Sequence, residues 1–360
     1  MSAAVVLFTR DLRVHDHPAL AAAARYAETV VPLFVVDAAL GGRPCPNRTA
    51  FLAEALEDLD ASLRARGGAL VVRAGETVAE TMRLVAETRA THVLCSADVS
   101  AVAQRREARL TEACRVARVE FEAHPGVTVV PPGVVEPSGG GDHYKVFTPY
   151  YRAWAEVPWR APAPVPKRLR LPDEWAPGRP AAVAASGPTS PGRDRGGETE
   201  ARTRWRAWLR RGMAEYDAGH DRLAAAGTSR LSPYLRWGCL SPLEVATGAR
   251  RTGSAGFLRQ VAWRDFHHQV ADAFPALSRR DYRPRDRRWK GDGPEFDAWR
   301  EARTGVPLVD AAMRQLEGEG WVHNRARMVA ASFLTKTLGV HWKLGADHYM
   351  RWLTDGEVWA

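Results

Sequence analysis

Lysine is scarce in this chain, occurring only at positions 145, 167, 290, 336 and 343, so arginine carries almost all of the net charge of +9. Cysteine is scarcer still. Cys45, Cys95, Cys114 and Cys239 lie too far apart for a zinc site or a redox pair, and they read as buried thiols. His15 with His17, and the adjacent His267 and His268, lack Cys or carboxylate companions at ligand spacing, so no metal is implied. Apolar residues nowhere run on for the roughly 18 positions that span a bilayer. The opening MSAAVVLFTRDLR lacks the basic start, long apolar core and cleavage site of a signal peptide. These absences exclude a membrane span and point to a cytoplasmic protein.

What is present begins with charge. An arginine excess and a pI near 9.7 suit a polyanionic partner, because cationic side chains bind phosphates with release of counterions. The 360 residues exceed what one core ordinarily organises, which favours two domains. In the first third, short β-branched runs (AAVVLF, VVPLFVV, ALVVRA, THVLCSA and VEFEA) alternate with amphipathic helices. Alternation of that kind predicts a parallel sheet covered on both faces. Helices are expected over 47–66, where Phe51, Leu52, Ala55, Leu56, Leu59 and Leu63 form one stripe before Gly67 and Gly68, and over 77–89 and 102–118. The expected division is an α/β domain over 1–130, a connector with little periodicity over 131–197, and an all-helical domain from 198 to 360. The triple glycine at 139–141 is not a phosphate loop, since no Gly-Lys-Ser/Thr follows it.

Three segments carry candidate chemistry. GTSRLSPYLRWGCLSPLEV holds two helix starts of one design, Ser232 before Pro233 and Ser241 before Pro242, and gathers the hydroxyls of Thr228, Ser229 and Ser232 where a pyrophosphate could sit. FLRQVAWRDFHHQV places Gln260, Trp263 and Arg264 one turn apart on one helical face, a set able to hold a planar heterocycle or simply to pack a core tryptophan. GWVHNRARM crowds an indole, an imidazole, an amide and two guanidiniums into nine residues, with Asn324 as a candidate helix start.

Together with FTRDLRVHDHPAL, PNRTAFLAEALEDLDASLRARGGALVV, TGVPLVDAAMRQLEGEGWVHNRARMVAASFLTK and the DG of LTDGEVWA, these segments make the chain resemble the photolyase and cryptochrome family through nearly its whole length. Its likeness is greatest to bacterial photolyases that repair cyclobutane pyrimidine dimers. The resemblance implies an N-terminal α/β antenna domain and a helical FAD-binding domain, acting as a monomer on DNA that contains pyrimidine dimers. It implies that light-excited reduced, anionic FAD donates an electron to a flipped-out dimer and that the electron returns after the ring splits. By the same resemblance Tyr216, Thr228, Ser229, Arg230, Leu231, Ser232, Phe257, Arg264, Gly356 and Glu357 belong to the FAD site, with Arg327 paired to Asp355 over the flavin ring. Gln260, Trp263 and Asn324 would contact the lesion, and His220 and Arg325 the DNA. Trp289 and Trp342 match two members of a tryptophan electron relay, in WKGDGPEFDAW and GVHWKLGADHYM. Arg48 and Asp98 lie in segments that resemble members with a deazaflavin antenna, favoured here over methenyltetrahydrofolate.

The sequence departs from that pattern at three points. Gln260 stands where many cyclobutane dimer photolyases have Glu, and where members acting on (6-4) lesions and animal cryptochromes often have Gln, whereas Asn324 within HNRARM is of the cyclobutane type. His220 stands where some relatives have Arg, with Arg222 nearby. The chain stops at DGEVWA, where family members continue, so the helical domain is expected to be C-terminally incomplete and to hold FAD weakly. A cryptochrome-like photoreceptor and an inactive shortened photolyase are the competing expectations.

Overall fold

The computed structural model describes residues 2–38, 45–137, 139–173, 175–177, 181, 183, 187–225, 227–277, 279–284 and 288–357. Ala3–Phe8 (β1), Thr29–Val36 (β2), Val71–Ala74 (β3), His92–Ser96 (β4) and Glu120–His124 (β5) form one all-parallel sheet in the order β3-β2-β1-β4-β5. Between them run Pro18–Tyr26 (α1), Pro46–Arg64 (α2), Thr77–Thr88 (α3) and Ala101–Ala117 (α4). Side chains alternate across a strand, so Ala4, Val6 and Phe8 of β1 enter one core with Leu20 of α1 and Phe51 of α2. Ala3, Val5 and Leu7 enter the opposite core with Leu84 of α3 and Leu110 of α4. Burial on both faces is why this strand reads as an unbroken apolar run.

The connector differs from its expected lack of periodicity. It contains the helix Phe147–Glu156 (α5), which buries Phe147, Tyr150 and Trp154 at helical spacing. Aromatic rings at i, i+3 and i+7 make a helical stripe as surely as leucines do. Further on, the connector bonds along the α/β domain, Leu169 N donating to Arg66 O at 2.7 Å and Val30 N to Arg170 O at 2.8 Å.

The remainder is helical: Glu198–Arg211 (α6), Tyr216–Gly219 (α7), Ser232–Trp237 (α8), Pro242–Thr252 (α9), Ala255–Ala273 (α10), Pro294–Arg300 (α11), Pro307–Glu319 (α12), Asn324–Ser332 (α13), a π-helical turn at Phe333–Thr337, and Trp342–Trp352 (α14). Helices α5, α6 and α8 to α10 share a core with the α1/α2 face of the sheet. Helices α11 to α14 close a separate core around Trp299, Met313, Leu316 and Leu334. The α/β domain and the helices packed on it are joined by buried polar side chains that meet backbone. Arg13 donates to the carbonyls of His15, Asp16, Gly126 and Gly238 at 2.9–3.3 Å. Asp265 of α10 accepts from Val129 N, Val130 N and Trp154 Nε1, each at 2.9 Å. Glu198 accepts Val14 N at 2.8 Å and His15 N at 3.1 Å. These contacts fix where α10 stands relative to the sheet, and α10 carries part of the candidate site.

Candidate functional site

The site is organised by the corner between α12 and α13. His323, not Asn324, caps α13: its Nδ1 accepts from Arg325 N at 3.1 Å, leaving Nε2 to donate to His220 O at 2.9 Å. Burial holds the imidazole pKa below its usual value, consistent with that neutral tautomer. Asn324 becomes the first helical residue and its side chain faces solvent. Arg325 pairs with Asp221 at 2.8 Å on the surface, so His220 and Arg325, distant in sequence, stand side by side. One turn into α13, Nη2 of Arg327 bridges both oxygens of Asp355 at 2.9 and 2.7 Å, while its Nε donates to Val322 O at 2.8 Å. The expected Arg327 and Asp355 pair is thus formed, with Asp355 almost fully enclosed. Next to it, a Cβ on Gly356 would come within 2.9 Å of Met350 Sδ and 3.1 Å of Arg48 Nη1, so no larger residue fits without displacing them.

Residues 228–232 approach the same corner, in a way the sequence only partly predicts. Ser232 is not a cap, because Leu231 occupies the cap position of α8 and the Ser232 hydroxyl instead accepts from Trp321 Nε1 at 3.1 Å. Ser241 does cap α9, accepting from Glu244 N at 3.3 Å. The end of the Arg230 guanidinium is taken by Glu319 at 2.7 Å and lies over the Trp321 ring at 4.3 Å, yet its Nε is buried without a partner among the described residues. Thr228 and Ser229 are half-buried residues whose hydroxyls have no hydrogen-bond partner among the described residues. Tyr216 and Phe257 meet edge to face at 5.0 Å, with His220 stacked on Tyr216 at 4.9 Å. Burial pushes the Tyr216 phenol up to about 12, which keeps it neutral.

Helix α10 does not present Gln260, Trp263 and Arg264 as one set. Gln260 is exposed. Trp263 lies flat against Phe147 of α5, ring centroids 3.7 Å apart and 7° from parallel. Arg264 turns inward, donating to Val127 O at 2.6 Å and Leu235 O at 3.3 Å, because the interface carbonyls lie within its reach. Its neighbour Asp265 is raised to about 6 by burial, against the opposing pull of Arg264 and three hydrogen bonds. Phe147, Asp265 and Arg13 were not singled out from the sequence. Only the aromatic spacing of α5 could have flagged the first.

Trp289 and Trp342 are joined through His341, 5.5 Å from the first ring and 5.9 Å from the second, and Trp342 Nε1 donates to Asp281 at 2.7 Å. Of the two antenna candidates, Asp98 follows β4 at the carboxyl end of the sheet and pairs with Arg10 at 3.4 Å. Arg48 donates to Met350 O at 2.6 Å and Leu353 O at 3.2 Å, so it ties α2 to the end of α14. Between them, Glu357 meets both Arg10 and Arg236. Burial, followed by repulsion from Arg10, brings the Arg236 pKa down to about 9, and its Nη1 is buried without a partner among the described residues. Among the described residues no three His, Cys, Asp or Glu side chains gather as metal ligands, and no helix is long and apolar enough to cross a membrane.

Comparison with known proteins agrees with this geometry. The family model "DNA photolyase" matches residues 4–167, and "FAD binding domain of DNA photolyase" matches residues 257–360. A deoxyribodipyrimidine photo-lyase of Streptomyces griseus is 51% identical over 99% of this chain and 80% of its own length. A bacterial class III photolyase from Agrobacterium tumefaciens superposes with a TM-score of 0.91 at 28% identity, covering 100% of this chain and 78% of that one. A cryptochrome of Synechocystis superposes with a TM-score of 0.88 at 25% identity, covering 100% and 80%. With both characteristic domains matched, and the arginine, carboxylate and histidine corner built from elements of the second, the chain belongs to the DNA photolyase family.

Proposed function

We propose that this protein splits cyclobutane pyrimidine dimers in DNA by a light-driven reaction that uses FAD. The observation that carries the reading is the Arg327 and Asp355 pair beside the His323 corner, where a half-buried guanidinium is oriented close to half-buried His220 and exposed Arg325.

The residues present fit FAD. A buried guanidinium donor without a partner, Arg230 Nε, lies next to the uncommitted hydroxyls of Thr228 and Ser229, a donor set suited to phosphate oxygens. Buried donors rarely go unmatched, so this one calls for an acceptor. Tyr216, Leu231, Ser232, Phe257, Gly356 and Glu357 would supply the remaining contacts, and Arg327 with Asp355 would hold the flavin. Held there in its reduced anionic form, FAD would supply light-driven one-electron chemistry for opening the cyclobutane ring. The protein's own work is to bind, orient and exclude water. Arg325 and His220 hold the backbone of a duplex from which the dimer is extruded, because a ring inside the stack cannot reach an enclosed cofactor. Trp263, held flat by Phe147, offers an aromatic surface to the extruded pair, and the amides of Gln260 and Asn324 donate to pyrimidine carbonyls. Trp289, His341 and Trp342 form a path for recharging the cofactor. The antenna is a deazaflavin in preference to methenyltetrahydrofolate, with Asp98 and the unmatched Arg236 Nη1 as its polar partners at the strand ends. The protein acts as a monomer on cytoplasmic DNA.

The first test is FAD released per chain on denaturation, followed by repair. Near-stoichiometric flavin, together with loss of dimers from ultraviolet-treated DNA under blue light, is the expected result. Dimers left intact by the FAD-reconstituted chain, under conditions in which the Streptomyces relative clears them, would sink the repair reading.

A further inference from the structure

Two arginines along the seam of α5, α9 and α10 lie on aromatic faces and commit none of their hydrogen-bond donors. Arg259, one turn before Trp263, lies over the rings of Phe147 at 4.9 Å and Tyr151 at 5.1 Å. Arg250, in the last turn of α9, lies over Trp159 at 4.1 Å. Neither has a carboxylate within ion-pair distance or a hydrogen-bond acceptor among the described residues. Elsewhere on the helical part, Arg202, Arg204, Arg300, Arg303, Arg325 and Arg327 each engage a carboxylate at 2.9 Å or closer.

A guanidinium lying on a ring is held in one plane while its N–H edges stay free, which is the geometry that meets a phosphate with two parallel bonds. Phe147 supplies the connection to the site, since the ring beneath Arg259 is the one stacked at 3.7 Å on Trp263. We infer that the α5/α9/α10 seam is a phosphate track, on which Arg259 and then Arg250 carry the backbone of the DNA strand leading away from the extruded dimer. The occupant is nucleic acid and not an acidic peptide, because Arg259 is tied through Phe147 to the indole assigned to the lesion, and Arg250 reaches the same ring through the contacts of Trp159, Trp154 and Tyr151. This inference rests on the repair reading and extends its footprint.

Duplex oligonucleotides with and without a single cyclobutane dimer, bound to the FAD-reconstituted chain across a salt series, test it. Each phosphate contact contributes about 0.9 to the slope of log K against log salt concentration. The double variant Arg250→Ala, Arg259→Ala is expected to flatten that slope by about 1.8, and to weaken damaged and undamaged duplex by the same factor. Arg25→Ala is the control. Arg25 lies over Tyr26 at 4.7 Å and donates to its hydroxyl at 2.6 Å on the exposed end of α1, so its loss removes one ring-held cation away from the seam and is expected to leave the slope unchanged. Because these arginines have no hydrogen bonds in the fold, the double variant should unfold cooperatively like the parent, with no more than the small loss that two cation–π contacts carry. A parent that binds duplex with a salt-dependent affinity, and a double variant with the same slope, overturns the track alone. A parent that binds neither duplex overturns the repair reading itself.

Discussion

Between the sheet and the helices, Arg13 directs its guanidinium onto four backbone carbonyls, whereas around His323 the guanidiniums of Arg325 and Arg327 meet side-chain carboxylates. The carbonyls are set by the fold and have nowhere to go. A carboxylate on a rotatable side chain can be displaced or shared when an anion or a polar ring arrives. The same residue type therefore serves to lock one region and to remain exchangeable in the other.

The comparison can be broken most forcefully at Arg13. Arg13→Met leaves the enclosed carbonyls of Asp16, Gly126 and Gly238 short of a donor, and a buried group left unsatisfied costs about 1–3 kcal/mol. Urea unfolding should register at least the lower figure, and a loss under about 1 kcal/mol would mean that the interface does not depend on this lock. Asp265 tests the same region by pH. Its pKa is raised to about 6, so the folded state binds the proton more tightly than the unfolded chain does. The associated stability is complete below pH 4 and declines as pH climbs toward 6, by about 2–3 kcal/mol at 1.36 kcal/mol per unit. Asp265→Asn, which can still accept from Trp154 and the backbone, should flatten that decline relative to the parent. Identical pH profiles for parent and variant would remove the buried carboxylate from the account.

On the exchangeable side the effects move from stability to binding. Arg327→Ala is expected to weaken FAD retention by about 10- to 100-fold, the range for a charge-assisted hydrogen bond of about 1.5–3 kcal/mol. Flavin content after gel filtration is the measurement, and unchanged content would dissociate the pair from the cofactor. The smallest change in stability belongs to Arg325→Ala, because surface ion pairs contribute about 0–1 kcal/mol. Its signature should lie in DNA binding, as a salt slope shallower by about 0.9. A slope equal to the parent's would confine Arg325 to its pairing with Asp221.

The sequence made β1, β2 and β4 legible because a strand buried on both faces has to be continuously apolar, and the edge strands β3 and β5, only partly buried, followed from the alternation with helices. The helices of the first third ended within a few residues of their expected glycine or arginine stops. Helix α5 escaped notice because its stripe is aromatic and lies in a segment rich in proline and glycine. At the site, the HNRARM segment and its distant Asp355 could be matched as a pattern, but which residue caps α13 could not. Asparagine is the better cap by preference, and His323 takes the position because His220 O is there to accept its second ring nitrogen. Arg264 was misplaced for a related reason. Helical spacing aligns residues on a face, but it does not say that interface carbonyls will draw one of them inward.

The ion pair between Arg10 and Glu357 joins residues 347 positions apart. During synthesis at about 5–20 residues per second, the loop after the first strand waits tens of seconds for that partner to leave the ribosome. Until then the cation stands beside Asp98 at the open end of a sheet whose five strands have long since been made. The carboxyl end of the sheet is thus completed only once residue 357 has been made, so the strands come early and the ion-pair cluster that closes over their ends comes late.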